Sequence, residues 1–383
     1  MKIRELHVQR FRNHRQTDAV FGGGINAVLG DNGEGKTNLL EAISYLCLTK
    51  SFFGSTDGTV LQVGETRFDL AGELEADSGI RYHVSVAYDR ADGNKNFYIN
   101  KSPVEKFAEV VGQFPIVVLS PESGSITTGS PADRRRFLDF VISQASKLYL
   151  EDLLEYRRVL RQRNRVLFDG RAARTDCSDL LEPWDQELID RGVRITQRRR
   201  KFLGEFQPFV HEAYNTIAGQ VEEPTIDYCP SVSHAGGASE EEVRALFAQA
   251  LRRKVPEERR LGLTLVGPHR DELDLAINGL GVRSHASQGQ HKTFLIALKI
   301  AEFLYLQKTR NEQPILLLDD MFTELDSHRS ERLLMMTQTV GQAFVTATNG
   351  NVFSPAFQWS GGNKRFFVHN GTVDHENEGS RTQ

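Results

Sequence analysis

Residues 30–37, Gly-Asp-Asn-Gly-Glu-Gly-Lys-Thr, fit the pattern G-x-x-x-x-G-K-T. In such a loop, glycines let backbone N–H groups surround a polyphosphate, and the following helix N-terminus adds partial positive charge. The Lys36 ammonium would reach the outer phosphates, and the Thr37 hydroxyl would bind Mg²⁺. The pattern therefore predicts a nucleoside triphosphate, ATP, held with Mg²⁺. The predicted nucleotide contacts in this loop are Gly30, Asn32, Gly33, Glu34, Gly35, Lys36, Thr37 and Asn38.

Two adjacent acids, Asp319 and Asp320, follow an apolar run at residues 315–318. A carboxylate at a strand end can hold Mg²⁺, and a second one beside it can orient or deprotonate attacking water. A core strand that runs into a solvated turn would also end in acids, but two consecutive acids favour the chemical role. We predict that Asp319 holds Mg²⁺ together with Thr37. The predicted catalytic residues are Lys36, Asp319 and Asp320.

A short loop, Ser-Gln-Gly-Gln at residues 287–290, precedes a helical pattern. Ser287 is a good N-cap candidate, and the dipole of the helix can face an anion. Alone, this segment is ordinary loop chemistry, but its position ahead of the two acids matches the signature loop of ABC ATPases. In that class, the signature of one subunit closes over the triphosphate that another subunit holds. The resemblance implies that Ser287, Gly289 and Gln290 contact the nucleotide in trans.

The elements that must position these residues follow from the periodicity of the sequence. Residues 25–29 predict a buried strand before the glycine-rich loop, and a helix begins directly after it. Residues up to about 120 carry mainly strand and turn patterns. From about 131 to 219 the period is helical, and a polar gap at 171–179 predicts a helical hairpin. The apolar run at 261–266 predicts a further strand.

Composition limits the class of protein. The 383 residues include 39% hydrophobic and 26% charged side chains, typical of a globular chain. No apolar run reaches the roughly 18 residues that cross a membrane, and no secretory signal is evident. The three cysteines lie far apart in sequence, which favours free thiols in the cytoplasm.

The charge is slightly acidic overall but unevenly distributed. The chain has 47 basic and 51 acidic residues, whereas residues 131–201 have 17 basic against 12 acidic. Five arginines crowd one helical stretch of that segment: Arg157, Arg158, Arg161, Arg163 and Arg165. Charge runs are usually solvated surfaces paired with acids, so composition alone leaves nucleic-acid binding open.

About 280 residues separate Lys36 from Asp319, more than transporter nucleotide-binding domains usually place between these motifs. Several further segments share the pattern of the RecF family of bacterial DNA replication and repair proteins, and they occur in family order. They are residues 9–13, 30–37, 119–122, 129–131, 134–139, 162–164, 267–271, 287–290, 319–320 and 324–326. The chain thus resembles the RecF family over nearly its whole length, although His291 and Lys292 stand where the family usually has Gln and Arg.

The resemblance implies an α/β fold: an ABC-type ATPase head with a helical second lobe. The head would combine an antiparallel strand subdomain with a mostly parallel, helix-flanked sheet. It would consist of residues 1–120 and 291–383, and the helical lobe, residues 121–290, would end in the signature loop. The resemblance also implies that Arg12 touches the nucleotide and that Asp326 bridges two subunits.

The function implied is ATP-driven homodimerisation on double-stranded DNA near single-strand gaps and at junctions of double and single strands. RecR and RecO would be partners, RecA would be loaded downstream, and slow, DNA-stimulated ATP hydrolysis would reset the complex. Asp320 stands where ABC ATPases usually carry Glu, which suits slow turnover. The alternatives are a transporter-like ATPase, an SMC-like scaffold without a specific DNA role, and an interaction module with a relic P-loop.

A further motif, residues 267–271, includes His-Arg-Asp and superficially matches a kinase catalytic loop. That loop requires Asn five residues after the Asp, and Ala276 stands there instead. We interpret the segment as a structural or interface motif.

Overall fold

The computed structural model describes the chain except for residues 220–221, 234–237, 323–324, 326, 354–356, 358, 360–361 and 376–383. It divides into two compact units. The first contains Met1–Gly124, Glu212–Glu222 and Ser287–Gln383, and the second contains Ser125–His211 and Glu223–Ala286. Among the helices described, none has the length and apolar character needed to cross a membrane.

The strands are β1 (Lys2–Phe11), β2 (His14–Val20), β3 (Ile25–Leu29), β4 (Arg67–Glu75), β5 (Arg81–Asp89), β6 (Asn94–Ile99), β7 (Ser102–Pro103), β8 (Ile116–Leu119), β9 (Pro224–Cys229), β10 (Glu272–Ile277), β11 (Leu280–Gly281), β12 (Ile315–Leu318), β13 (Ala343–Ala347), β14 (Lys364–His369) and β15 (Thr372–His375). The α-helices are α1 (Lys36–Leu48), α2 (Ser125–Thr128), α3 (Pro131–Ala145), α4 (Lys147–Ala173), α5 (Ser178–Ala218), α6 (Glu240–Leu261), α7 (Val282–His285), α8 (Gln288–Arg310) and α9 (Ser327–Thr339).

One sheet of the first unit has the order β15-β14-β3-β13-β12-β8, and all its pairs are parallel except the β14–β15 hairpin. The strands β3, β8, β12 and β13 are buried along their whole length, which explains their continuous apolar sequences. Because neighbouring parallel strands end at the same edge, the loops after β3, β12 and β13 meet there.

The other sheet of the first unit is antiparallel, with the order β2-β1-β4-β5-β6-β7. Its buried face packs with α1 through three aromatic rings. The ring centroids of Phe11 and Tyr45 lie 5.4 Å apart, and Phe68 lies 5.4 Å from Phe11 and 5.7 Å from Tyr45, all edge to face. The helix that follows the glycine-rich loop is thus fixed to both sheets, and the predicted fold class is confirmed.

The second unit is mainly helical, with a three-stranded sheet of order β11-β10-β9. The helical hairpin predicted around residues 171–179 is formed by α4 and α5, which are joined by ion pairs such as Arg163–Asp185 at 2.6 Å. The strand predicted at 261–266 is wrong, because α6 runs to Leu261. Gly262, with φ of 73°, then ends that helix in the left-handed region.

Candidate nucleotide site

The glycine-rich loop connects β3 to α1, and its backbone requires glycine at defined positions. Gly33 and Gly35 have φ of 87° and 114°, values that other residues rarely adopt. A Cβ at Gly30 would lie 2.4 Å from the Val368 carbonyl oxygen of β14. The loop therefore keeps its path only with these small residues, and its N–H groups and the start of α1 form a concave anion site.

Lys36, the first residue of α1, folds back over this loop. Its Nζ donates to the carbonyl oxygens of Gly30 at 2.7 Å and Asp31 at 2.9 Å, and the residue is 7% exposed. An ammonium has three donors, so two of them fix its position and the third can serve a phosphate oxygen.

Asp319 follows β12 and receives two hydroxyl hydrogen bonds on the same oxygen. The Oγ1 atoms of Thr37 and Thr346 both donate to Asp319 Oδ1 at 2.8 Å. Burial raises the pKa of this carboxyl, the negative charges of Asp320 and Glu122 add to the effect, and the two hydroxyl bonds oppose it. The structure thus joins Thr37 and Asp319, which are 282 residues apart in sequence.

These oxygens fit Mg²⁺. The ion prefers hard oxygen ligands and usually binds through one or two carboxylates together with substrate phosphates. A carboxylate and a hydroxyl in contact, beside a phosphate-binding loop, supply such ligands, and the ion would offset the negative charge that burial disfavours at Asp319. Among the residues described, no cluster of three or more His, Cys, Asp or Glu side chains forms a different metal site.

Asp320 adopts a strained backbone next to this pair. Its φ is 49°, in the left-handed region that non-glycine residues seldom occupy, and its N–H donates to Thr346 Oγ1 at 2.8 Å. Thr346 therefore organises both acids, a role that its sequence context did not indicate. Strain held in this way is common at functional sites. Thr348, a second threonine whose role the sequence leaves open, lies just beyond β13.

Arg12 forms an ion pair with α1. Its guanidinium donates to the buried Glu41 carboxylate of α1, with Nε–Oε2 at 2.7 Å and Nη2–Oε1 at 2.8 Å. The contact of Arg12 with nucleotide stays a prediction. The neighbouring Asn13 bonds to the loop instead, donating to the Glu34 carbonyl at 2.8 Å and accepting from Asn38 Nδ2 at 2.8 Å.

His14, the first residue of β2, gives the loop a second support. Its Nε2 lies 3.0 Å from the Gly35 carbonyl oxygen, and its Nδ1 lies 2.9 Å from Thr17 Oγ1. Burial lowers its pKa, although hydrogen bonds to the Gly35 and Gly371 backbone oppose the shift.

The turn between β14 and β15 gives a third support. The Gly371 N–H donates to the Glu34 carbonyl at 2.9 Å, and the Asn370 N–H donates to the Glu34 carboxylate. Both turn residues have positive φ, as a two-residue hairpin requires. A Cβ at Gly371 would lie 2.1 Å from the Asn13 carbonyl oxygen, so this turn and the Asn13 turn are closely packed.

We expect Asn13→Ala to weaken ATP binding about tenfold without unfolding the chain. The change removes two side-chain hydrogen bonds that hold the loop, each contributing on the order of 1 kcal/mol. Isothermal calorimetry measures the affinity. The control is Gln16→Ala, an exposed change on the neighbouring β2, and equal losses in the two variants would contradict a positioning role for Asn13.

The predicted signature residues form the N-terminus of α8. Ser287 Oγ accepts from the Gln290 N–H at 3.2 Å, and the Ser287 N–H donates to Gln290 Oε1 at 2.8 Å, completing a capping box. Gln290 Nε2 also donates to Glu222 at 2.8 Å. In the described part of the chain, Ser287, Gly289 and Gln290 make no hydrogen bond to the glycine-rich loop, and their action in trans stays a prediction. Asp326 lies outside the described residues.

A P-loop between a buried strand and a helix, an acid on a nearby parallel strand, and this two-sheet head define an ABC-type ATPase. Residues 2–365 match the family model "RecF/RecN/SMC N terminal domain". Relatives named "DNA replication and repair protein RecF" are 44% identical over 363 residues in Chloroherpeton thalassium and 41% identical over 360 in Salinibacter ruber. These matches cover 94% and 93% of this chain, and 98% and 87% of the relatives. The chain belongs to the RecF family.

Solved structures of RecF proteins are also similar to this chain. One described as "recombination mediator protein RecF-ATP in RecFOR pathway" matches with a TM-score of 0.89 and 31% identity, covering 98% of this chain and 97% of that one. The corresponding RecF-ATPrS structure matches with a TM-score of 0.90, 31% identity and 98% coverage of both chains. An Smc head bound to a domain of ScpA matches with a TM-score of 0.55 and 13% identity over 98% of each chain, which shows a shared fold.

Proposed function

We propose that the chain binds ATP with Mg²⁺ and uses it to control a homodimer that binds double-stranded DNA in recombinational repair. The observation that carries the ATP site is the hydrogen bond between Thr37 and Asp319 at 2.8 Å beside the Lys36 ammonium. This contact supports a shared role in Mg²⁺ binding for Thr37, the residue after Lys36, and Asp319.

The residues of the site have separate tasks. The loop N–H groups and Lys36 bind the β- and γ-phosphates, while Thr37 and Asp319 hold the ion, which neutralises phosphate charge when bound. Asp320 orients the attacking water. Because Asp is one methylene shorter than the Glu usual at this position, the water is less well placed, and hydrolysis is slow.

The position of the signature supports the proposed dimer. Ser287 is exposed at the N-terminus of a 23-residue helix, where N–H groups and the dipole favour an anion. We propose that Ser287, Gly289 and Gln290 of one subunit close over the ATP of the other, with Asp326 bridging the two. Slow, DNA-stimulated hydrolysis would then reopen the dimer.

The DNA role is supported by the relatives, which are named for DNA replication and repair and for mediation of recombination in the RecFOR pathway. By analogy we propose that this chain acts in the cytoplasm near single-strand gaps and junctions of double and single strands. It would work with RecR and RecO to load RecA. A transporter-like role, an SMC-like scaffold and a relic P-loop module are the alternatives.

Light scattering with and without ATP tests the proposal, together with ATP turnover with and without duplex DNA. We expect a monomer without nucleotide, a dimer with ATP, and slow turnover that duplex DNA accelerates. A transporter-like ATPase would turn over without responding to DNA, and a relic module would stay monomeric. Either result would contradict the proposed function.

A further inference from the structure

A cavity of about 220 Å³ in the second unit has four arginines in its lining, among apolar and polar side chains. Its basic and acidic lining residues are Arg135, Arg136 and Asp139 on α3, Arg157 on α4, Arg199 on α5, and His269 before β10. Four arginines thus accompany one carboxylate. Burial lowers the pKa of His269 to about 4, so its ring is neutral at physiological pH. The lining carries a net positive charge.

The innermost arginine is a structural part of this unit. Arg199 is 2% exposed and donates to Asp139 at 2.7 Å, to Tyr149 Oη at 3.0 Å and to Asp271 at 3.3 Å. Asp139 also accepts from Tyr149 Oη at 2.5 Å and from Arg157 at 3.1 Å. Since Asp139 accepts three hydrogen bonds already, it has little capacity to neutralise the remaining arginines.

Arg135 lies between Arg199, the innermost arginine, and the opening of the cavity. Its Nη1 donates to the Asp271 backbone carbonyl at 2.6 Å, which is a neutral acceptor. Burial lowers its pKa, and the positive charge of Arg199 lowers it further, although nearby acids oppose the shift. A partly buried guanidinium in this setting is stabilised by an anion.

Arg136 and Arg157 stand at the opening, with side chains 75% and 50% exposed. Each makes one ion pair, Arg136 with Asp133 and Arg157 with Asp139, both at 3.1 Å. A guanidinium carries five N–H donors and matches the oxygens of a phosphate in pairs. The opening therefore offers donors from two arginines to one anion.

The positive charge continues along α4 beyond the cavity. Arg157, Arg161 and Arg165 are exposed and spaced by four residues, so they follow one side of the helix over about 12 Å. Arg165 makes an exposed ion pair with Asp169 at 2.7 Å, which salt and water screen. A single free phosphate ion would occupy only the cavity and would not contact the arginines farther along α4. A line of cations leading away from it fits a ligand with regularly repeated negative charges.

We infer that Arg135, Arg136 and Arg157 bind a backbone phosphate of double-stranded DNA, and that Arg161 and Arg165 extend the contact along the strand. The inference rests on the proposed DNA-binding function and adds a location to it. Contacts of this kind position the protein without reading base sequence.

Duplex affinity measured with ATP at several salt concentrations tests the inference. Each phosphate contact contributes about −0.9 to the slope of log affinity against log salt. We expect the slope of Arg136→Gln/Arg157→Gln to be shallower by about 0.9, because the two side chains share one phosphate, and that of Arg161→Gln to be shallower by about 0.9 as well, equally for two unrelated DNA sequences. Arg253→Gln, an exposed change on α6, is the matched control and should keep the wild-type slope.

Thermal unfolding shows whether each variant is folded, and Arg161→Gln makes no change inside the cavity. If the wild type binds duplex and all variants keep its slope, the inference is wrong and the DNA function stands. If the wild type shows no ATP-dependent duplex binding, both the inference and the proposed DNA function are wrong.

Inorganic phosphate is the second probe. Phosphate-dependent thermal stabilisation that the double variant loses, with an unchanged DNA slope, would assign the cavity to free phosphate and overturn the inference.

Discussion

Lys36→Ala is expected to abolish measurable ATP binding, a loss of at least about 100-fold, or roughly 3 kcal/mol. The Lys36 ammonium is held by two carbonyl oxygens of the loop and is almost fully buried. Without it, the triphosphate loses its main cationic partner, and the two carbonyls turn their partial negative charge toward the phosphates. Isothermal calorimetry with ATP and Mg²⁺ measures the effect.

The Lys36→Arg variant tests whether positive charge at this position is enough without the shape of the lysine side chain. The planar, bulkier guanidinium keeps the positive charge but does not fit between the carbonyls of Gly30 and Asp31 in the same way. We expect partial ATP binding with poor turnover. If Lys36→Ala binds ATP as tightly as the wild type, the assignment of the loop to phosphate binding is wrong.

Ser287→Arg is expected to leave ATP binding by the monomer nearly intact and to block both dimerisation and hydrolysis. Ser287 is exposed. Among the described residues, no hydrogen bond joins it to the glycine-rich loop of its own subunit. A bulky side chain there would obstruct a second subunit that must approach within hydrogen-bonding distance of the nucleotide.

The substitution also removes a helix cap, which contributes about 1 kcal/mol. Ser239→Arg is a matched control, because Ser239 forms the same capping box at the N-terminus of α6. It should lose similar stability and still dimerise with ATP, as measured by light scattering. Normal ATP-dependent dimerisation of Ser287→Arg would contradict the action of the signature in trans.

The sequence allowed Thr37 and Asp319 to be placed together because apolar runs predict both β3 and β12. Parallel strands of one sheet deliver their following residues to a common edge. The role of Thr346 could not be predicted, because β13 lies between those strands only in the folded sheet. A hydroxyl residue near the end of a buried strand is a weak signal until its neighbours are known.

The supports of the loop were missed for a related reason. Asn13 and His14 are separated from Gly371 by more than 350 residues, and a contact such as that between Thr17 and Gly371 has no local sequence pattern. Asn370 and Gly371 could have been recognised as a hairpin turn from the Asn-Gly pair between two β-rich segments. The contact of Asn370 and Gly371 with the glycine-rich loop could not be predicted from the sequence.

Charge and hydrophobicity patterns also do not show which arginines of the second unit are buried. Arg163 belongs to the basic run between residues 157 and 165, yet it is fully buried against Asp185 and Glu258. The run therefore mixes surface cations with core ion pairs, and only the structure separates them. The motif at 267–271 is structural within this unit, since Asp271 accepts from Arg199 and from the Ser231 N–H at 2.7 Å.

The most direct test of the account is duplex DNA affinity measured across several salt concentrations, with and without ATP. If two subunits close on ATP as proposed, their DNA-facing surfaces would come together and neutralise more phosphates, releasing more counterions. We expect weak binding without nucleotide, and both higher affinity and a steeper salt dependence with ATP. A salt slope near zero that ATP does not change would contradict the claim that this ATPase controls DNA binding.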